Sequence, residues 1–232
     1  MSDITAPRHV GVILDGNRRW AKAKGLASIK GHNAGTENIR EVLQKALDMG
    51  VEYISLFVFS TENWKRTEEE VGHLMSLFVR LMKKEKDKLL SDNLKVVFAG
   101  QRSHDKLPKS VKEAMVDLED STKDNTAGTL VMCFNYGGQT EIIDAAKAAV
   151  ESGLSADKLD QKTFEQFLYT PEVPELDLVI RTSGEHRISG FQLWRAAYAE
   201  FFFVDKNWPD FTTNDMEQAI NAYCSRDRRI GK

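Results

Sequence analysis

Short, almost continuously apolar runs alternate along the 232-residue chain with longer stretches whose apolar residues recur every three to four positions. Six runs read as strands: Arg8–Leu14, Glu52–Phe59, Leu94–Ala99, Thr129–Asn135, Asp177–Arg181 and Glu200–Val204. Helical periodicity predicts helices over Ala34–Met49, Glu68–Leu90, Pro108–Lys123, Thr140–Glu151, Thr163–Leu168, Phe191–Ala199 and Asn214–Arg226. Runs that are apolar throughout predict a parallel sheet covered on both faces. The alternation predicts an α/β fold: a single layered domain over residues 1–232, with a central, mostly parallel six-stranded sheet flanked by helices. The longest helix opens on a T-x-x-E capping box, Thr67 and Glu70, and Val71, Leu74, Met75, Phe78, Leu81 and Met82 share one face. Periodicity fits core packing and the wall of a hydrocarbon channel equally well.

The polar residues change the picture at the strand ends, because ligands of α/β sheets collect outside the carboxyl ends of the strands. The first run ends in Asp15-Gly16-Asn17-Arg18-Arg19-Trp20, and the second in FSTENWKR, with Ser60, Glu62, Asn63, Trp64 and Arg66. The fourth leads into NYGGQTE, and the fifth into RTSGEHRISG, with Arg181, Glu185, His186, Arg187 and Ser189. Singly these read as caps, turns or solvated charges. Together, at one edge of one sheet, they suit diphosphate. Its charge calls for backbone N–H groups and forked guanidiniums, and four arginines exceed the need of one phosphate. A hard cation such as Mg²⁺ takes one or two carboxylates with phosphate oxygens and water, and Asp15 is the natural ligand.

Other chemistries lack their signatures. The chain has no G-x-x-x-x-G-K-[ST], no G-x-S-x-G, no zinc-type histidine spacing and no Asp-Asp dipeptide. A net charge of −3 provides no global basic field, which argues against nucleic acid as a partner. Cys133 and Cys224 form no disulfide framework and fit a reducing cytoplasm. The eight residues before His9 are too few for a signal peptide, and no apolar run approaches the ~18 residues of a membrane span.

Five ordered motifs carry a resemblance: HVGVILDGNRRWAKAKG, GHNAG, FSTENWKR, NYGG and DLVIRTSGEHRISGFQLWRAAYAEFFFVDKNWPDF. From His9 to Gly231 the chain resembles the cis-prenyltransferases, typified by bacterial undecaprenyl diphosphate synthase. The resemblance implies a Mg²⁺-dependent homodimer that extends an allylic, farnesyl-type diphosphate with isopentenyl diphosphate. It also implies a hydrophobic tunnel between sheet and helices, and membrane contact through the product only. Asp15 and Asn63 match catalytic positions. Gly16, Asn17, Arg18, Arg19, Trp20, His32, Ser60, Thr61, Glu62, Trp64 and Arg66 match the allylic-diphosphate seat.

Arg181, Arg187, Ile188 and Ser189 match the isopentenyl diphosphate seat. His186 and Glu200 match metal-holding positions beside Asp15, with Glu200 offered across the dimer, and Arg229 and Gly231 match a tail reaching the neighbouring subunit. Val58, Gly128 and Phe134 align with tunnel-lining or floor positions. The resemblance implies a long-chain, undecaprenyl-like product, the alternatives being a short-chain synthase or a non-catalytic scaffold subunit. Three positions depart from the family pattern: Ser28 stands for a usual arginine, with Lys30 as a substitute cation, Ser183 for a glycine, and Gly190 for an asparagine.

Overall fold

The computed structural model describes residues 6–226. Along the chain run β1 (His9–Ile13), α1 (Asn17–Ala23), α2 (Ser28–Asp48), β2 (Tyr53–Ser60), α3 (Glu68–Ser91) and β3 (Leu94–Ala99). Then follow α4 (Lys109–Thr122), β4 (Gly128–Tyr136), α5 (Gly138–Glu151), α6 (Gln161–Glu165), β5 (Leu178–Arg181), β6 (Glu200–Phe203) and α7 (Thr213–Cys224). The strands form one sheet in the order β3-β4-β2-β1-β5-β6. Every neighbouring pair is parallel, so the sheet is wholly rather than mostly parallel.

One face packs on residues of α2, α3, α4 and α7, among them Val42, Met75, Phe78, Met115 and Ile220. The other is covered by Val173, Leu176, Phe191 and Ala196. That double cover is why the strands are apolar at successive positions.

Several segments differ from their sequence reading: α1 falls outside the predicted helices, and α6 lies at Gln161–Glu165 rather than Thr163–Leu168. The Phe191–Ala199 stretch forms consecutive turns, not a helix. Arg195 is buried there and donates to the carbonyls of Val173 and Thr170, while its own carbonyl accepts from Leu176 N–H. The segment's polar groups are therefore spent on a neighbouring loop. Conversely, helix α2 begins at Ser28, earlier than predicted, and runs through Gly31 and Gly35.

Those glycines serve close approach. A Cβ on Gly31 would lie 1.9 Å from the Asn17 carbonyl oxygen, and one on Gly35 2.2 Å from Asn17 Oδ1. Trp208 Nε1 donates to the Gly35 carbonyl at 2.8 Å. The short helix α1 is thereby pressed onto α2, which fixes where the Asp15–Arg19 turn stands.

His9 opens β1 fully buried, with Nδ1 2.9 Å from the Pro174 carbonyl and Nε2 2.7 Å from Ser55 Oγ. Burial pulls its pKa down to about 4, so the ring is neutral at physiological pH.

Gly31→Ala is expected to lower the unfolding free energy by about 1–3 kcal/mol through overpacking. Gly72→Ala, in α3 with nothing within 4 Å of the added carbon, is expected to raise it by about 0.5–1 kcal/mol. Urea unfolding measures both. Between the ordinary histidine value of 6.5 and the folded value of about 4, the unfolded chain binds the His9 proton and the folded chain does not. Stability is therefore full above that window and declines as pH falls through it. Urea midpoints followed down the same range should drop, and drop less steeply in His9→Asn.

Candidate active site

The strand order makes β4, β2, β1 and β5 consecutive neighbours, so the four polar strand ends meet along one edge of the sheet. A cavity of about 1150 Å³ opens there. At its mouth Asp15 Oδ2 accepts from Arg181 Nε at 2.9 Å and Nη2 at 2.6 Å. The Arg181 side chain is 4% exposed and that of Asp15 37%. Arg181 Nη1 also donates to Ser189 Oγ at 2.8 Å and to the Arg187 carbonyl. Four hydrogen bonds thus hold the guanidinium, whereas Asp15 Oδ1 carries no hydrogen bond among the described residues.

Gly16 follows with φ 100°, and a Cβ there would lie 2.3 Å from Asn207 Oδ1. Both the positive φ and the crowding require glycine. The amide of Asn17 donates to the Leu14 carbonyl, and Asn17, Arg18, Arg19 and Lys22 all face the cavity. Arg19 donates to the Ser183 carbonyl at 2.9 Å and pairs with Glu185 at 2.8 Å.

Glu70 gathers the next group: Arg66 at 2.9 Å, His32 at 3.6 Å and Arg18 at 3.8 Å. The predicted capping box is half formed, because Thr67 Oγ1 accepts from Glu70 N–H while the Glu70 carboxylate turns to Arg66, His32 and Arg18. Burial first, and then Arg66, lowers the His32 pKa to about 4. Its Nε2 lacks a hydrogen-bond partner among the described residues, which suits it to an incoming phosphate oxygen.

After β2, residues Thr61–Lys65 form a 3-10 turn in which Ser60 N–H donates to Asn63 Oδ1 at 3.0 Å. Ser60, Glu62, Asn63 and Arg66 line the cavity. Thr61 and Trp64 instead hold the turn in place. Thr61 packs where Gly137 leaves room, and Trp64 donates to Asn135 Oδ1 at 2.6 Å and stacks on His104. Trp20 also lies off the cavity wall, donating to Asp210 at 2.7 Å with Lys24 over its ring. Of the expected isopentenyl seat, Arg181 and Ser189 face the cavity. Arg187 is exposed and paired with Glu185, and the Ile188 carbonyl accepts from Phe191 N–H.

The expected metal set is not assembled within one chain. The His186 ring stacks on Phe203, and Glu200 pairs with Arg226. Glu200 aligns with Leu178 and Phe203 with Arg181, so Glu200 stands at the amino end of β6, away from Asp15. Among the described residues no three His, Cys, Asp or Glu side chains cluster to hold an ion. Asp15 by itself still fits Mg²⁺, which is content with one carboxylate plus phosphate oxygens and water. Arg229 and Gly231 lie outside the described residues.

Deeper, the cavity becomes apolar, lined by Ile39, Leu74, Leu77, Phe78, Leu81, Val58, Phe59, Met132 and Phe134. The α3 face therefore serves both expected roles: Leu74 and Leu81 wall the cavity, while Met75 and Met82 pack in the core. A register shift between Phe57 and Phe59 brings both Val58 and Phe59 to the wall. Phe134, 2% exposed, closes the depth against Phe59 at 5.4 Å and Phe78 at 4.0 Å between ring centroids. Gly128 does not line the cavity. It begins β4 at the opposite end of the sheet and packs on Leu47. Lys30 is exposed and off the wall, whereas Ser28 and the unforeseen Lys22 are on it.

Residues 13–231 match the prenyltransferase family model described as "Putative undecaprenyl diphosphate synthase". The chain belongs to this prenyltransferase family. An isoprenyl transferase of Thermotoga maritima is 44% identical over 97% of both chains. A ditrans,polycis-undecaprenyl-diphosphate synthase of Micrococcus luteus, specific for (2E,6E)-farnesyl diphosphate, is 42% identical over 97% of this chain and 91% of its own. Lavandulyl diphosphate synthase of Lavandula x intermedia, solved with dimethylallyl diphosphate, superposes with a TM-score of 0.94 at 32% identity over the whole of both chains.

Two departures from the prenyltransferase pattern now have a place. Ser183 and Gly190 both sit at positive φ, 77° and 78°. Glycine suits either position, and asparagine tolerates it better than most residues. Ser183 compensates by donating to Asn207 Oδ1 at 2.8 Å. Among the described residues no helix is long and apolar enough to cross a membrane.

Proposed function

We propose that this prenyltransferase condenses isopentenyl diphosphate onto an allylic diphosphate of the farnesyl type, giving a cis-polyprenyl diphosphate. The observation that carries this reading is the cavity's polarity: arginines and the acids Asp15 and Glu62 at the mouth, aromatic and aliphatic side chains in the depth. A diphosphate with a hydrocarbon tail matches that gradient.

Arg18, Arg19, Arg66 and His32 would hold the allylic diphosphate, and Arg181, Arg187 and Ser189 the isopentenyl one. Breaking the allylic C–O bond leaves a carbocation and a diphosphate whose developing charge the arginines stabilise. Asp15 would hold Mg²⁺, which adds Lewis-acid stabilisation of that leaving group. The isopentenyl double bond then attacks the cation, and a proton is lost. Asn63 orients rather than deprotonates. Its carbonyl oxygen is occupied by Ser60 N–H, leaving the amide NH₂ to face substrate. A diphosphate oxygen or water then takes the proton. Positioning two bound reactants supplies much of the remaining acceleration.

The cavity volume of about 1150 Å³ exceeds that of most small-molecule sites and supports a long-chain product. The Phe59–Phe78–Phe134 floor favours the second reading, an earlier stop. The place of Glu200, at the far end of its own sheet, supports a homodimer in which it serves the partner's site. Retention of Asp15 and the arginines supports a catalytic subunit over a scaffold.

Incubation with isopentenyl diphosphate, a farnesyl diphosphate primer and Mg²⁺, followed by chromatography of the dephosphorylated products, tests the activity and reads the chain length. Absence of elongation by the folded protein would refute it. Asp15→Ala is expected to cut turnover by about 10²–10³-fold or more and to weaken isopentenyl diphosphate binding by a smaller factor, through loss of the counter-ion of Arg181. Equal losses in both would contradict the assignment. Phe134→Ala, in protein shown to remain folded, should move the product distribution to longer chains. An unmoved distribution would remove the aromatic floor as the stop.

A further inference from the structure

Glu185, in the loop between β5 and β6, touches an arginine from each proposed seat. One carboxylate oxygen, Oε1, forms an ion pair with Arg19 Nη2 at 2.8 Å, and the other, Oε2, accepts from Arg187 Nη1. The two guanidiniums are 52% and 60% exposed, and the carboxylate between them 23%. Arg187, then Arg19 and Arg181, hold the Glu185 carboxyl below its ordinary range, so it is a permanent anion at neutral pH. Arg19 is also tied to the Ser183 carbonyl, two residues before Glu185. Among the described residues Asp15 pairs with Arg181, and Glu70 pairs with Arg18, His32 and Arg66, all on one seat. Of these three acids, Glu185 is the one that pairs with a guanidinium from each seat.

Resting on the functional reading above, we infer that Glu185 is a positioning residue that couples the two diphosphate seats, a shared counter-ion whose displacement from one guanidinium frees the other. A diphosphate that reaches Arg19 competes with Oε1 for the guanidinium charge and repels the carboxylate as a like charge. The carboxylate sits in a loop whose Ser183 and Gly184 hold positive φ. Pushed from Arg19, it loses one of the two ion pairs that keep it between the arginines. The second diphosphate then meets Arg187 against a weaker competitor. Each substrate tightens the other, and by linkage the effect is reciprocal.

The test is calorimetric titration of isopentenyl diphosphate at fixed Mg²⁺. It is run with and without a farnesyl analogue in which methylene replaces the bridging C–O–P oxygen, so that ionisation cannot occur. In the wild-type protein the analogue should tighten isopentenyl diphosphate by about fivefold or more, a usual size for coupling between sites. In Glu185→Gln, with an unchanged thermal midpoint, the coupling should fall within about twofold and each ligand alone should bind more tightly than to wild type. Should the Gln variant lose its fold, Glu185→Asp retains the charge but is one methylene too short to span both guanidiniums, and it too should lose the coupling. Coupling that persists in a folded variant overturns the inference, as does its absence from a wild-type protein that binds both ligands. If neither ligand binds the wild type, the functional reading falls first and takes this inference with it.

Discussion

A guanidinium almost wholly removed from water is the constraint on which the site depends. Arg181 is 4% exposed, and desolvating that charge is costly unless it is paired and its donors are hydrogen-bonded. Asp15 accepts two of its hydrogen bonds, Ser189 Oγ and the Arg187 carbonyl the others. The exit of β1 is thereby fastened to the exit of β5, and the β5–β6 loop is folded back over both. One acid and one loop acquire fixed positions from the need to satisfy a single buried cation. Asp15 keeps an oxygen outside that arrangement, available for metal chemistry.

The rest of the architecture brings walls to this pair. A wholly parallel sheet sends all its carboxyl ends one way, so turns far apart in sequence share one rim. Glycines set how close the rim's parts can come: Gly31 and Gly35 admit α1 against α2, and Gly137 and Gly138 admit Thr61 and the Gly190 carbonyl against the end of β4. Behind the rim the same strands turn apolar, and α3 closes the far side. The gradient from charge to hydrocarbon is thus a gradient along the strand direction.

Much of this was legible in the sequence. The apolar runs located all six strands, and the chemistry at four of their ends marked the rim before any geometry was known. Features that depend on tertiary proximity were less legible. Gly31 falls before the predicted helix and Gly35 at its start, yet the carbonyls of Asn17 make glycine necessary at both places inside α2. The spacing in FQLWRAAYA fits a helix, but the carbonyls that Arg195 serves lie in another loop and overrode it. Glu70 looked like half of a cap because the three partners it faces, Arg18, His32 and Arg66, come from α1, α2 and the turn before α3. Trp20 and Trp64 belong to matched motifs but brace the rim from behind. Motif membership does not distinguish a residue that touches substrate from one that holds such a residue still.

The double duty of α3 has a consequence for how such an enzyme would let go of what it makes. Leu74 and Leu81 face the cavity from the same helix whose Met75 and Met82 pin it to the sheet, and Phe78 does both. A lengthening hydrocarbon would add contacts to the helix that encloses it and so become a transient part of the protein's interior. The better the polymer fits, the more firmly its own container is shut. Departure would then require an outside acceptor for grease, a bilayer or a carrier, to outcompete the wall.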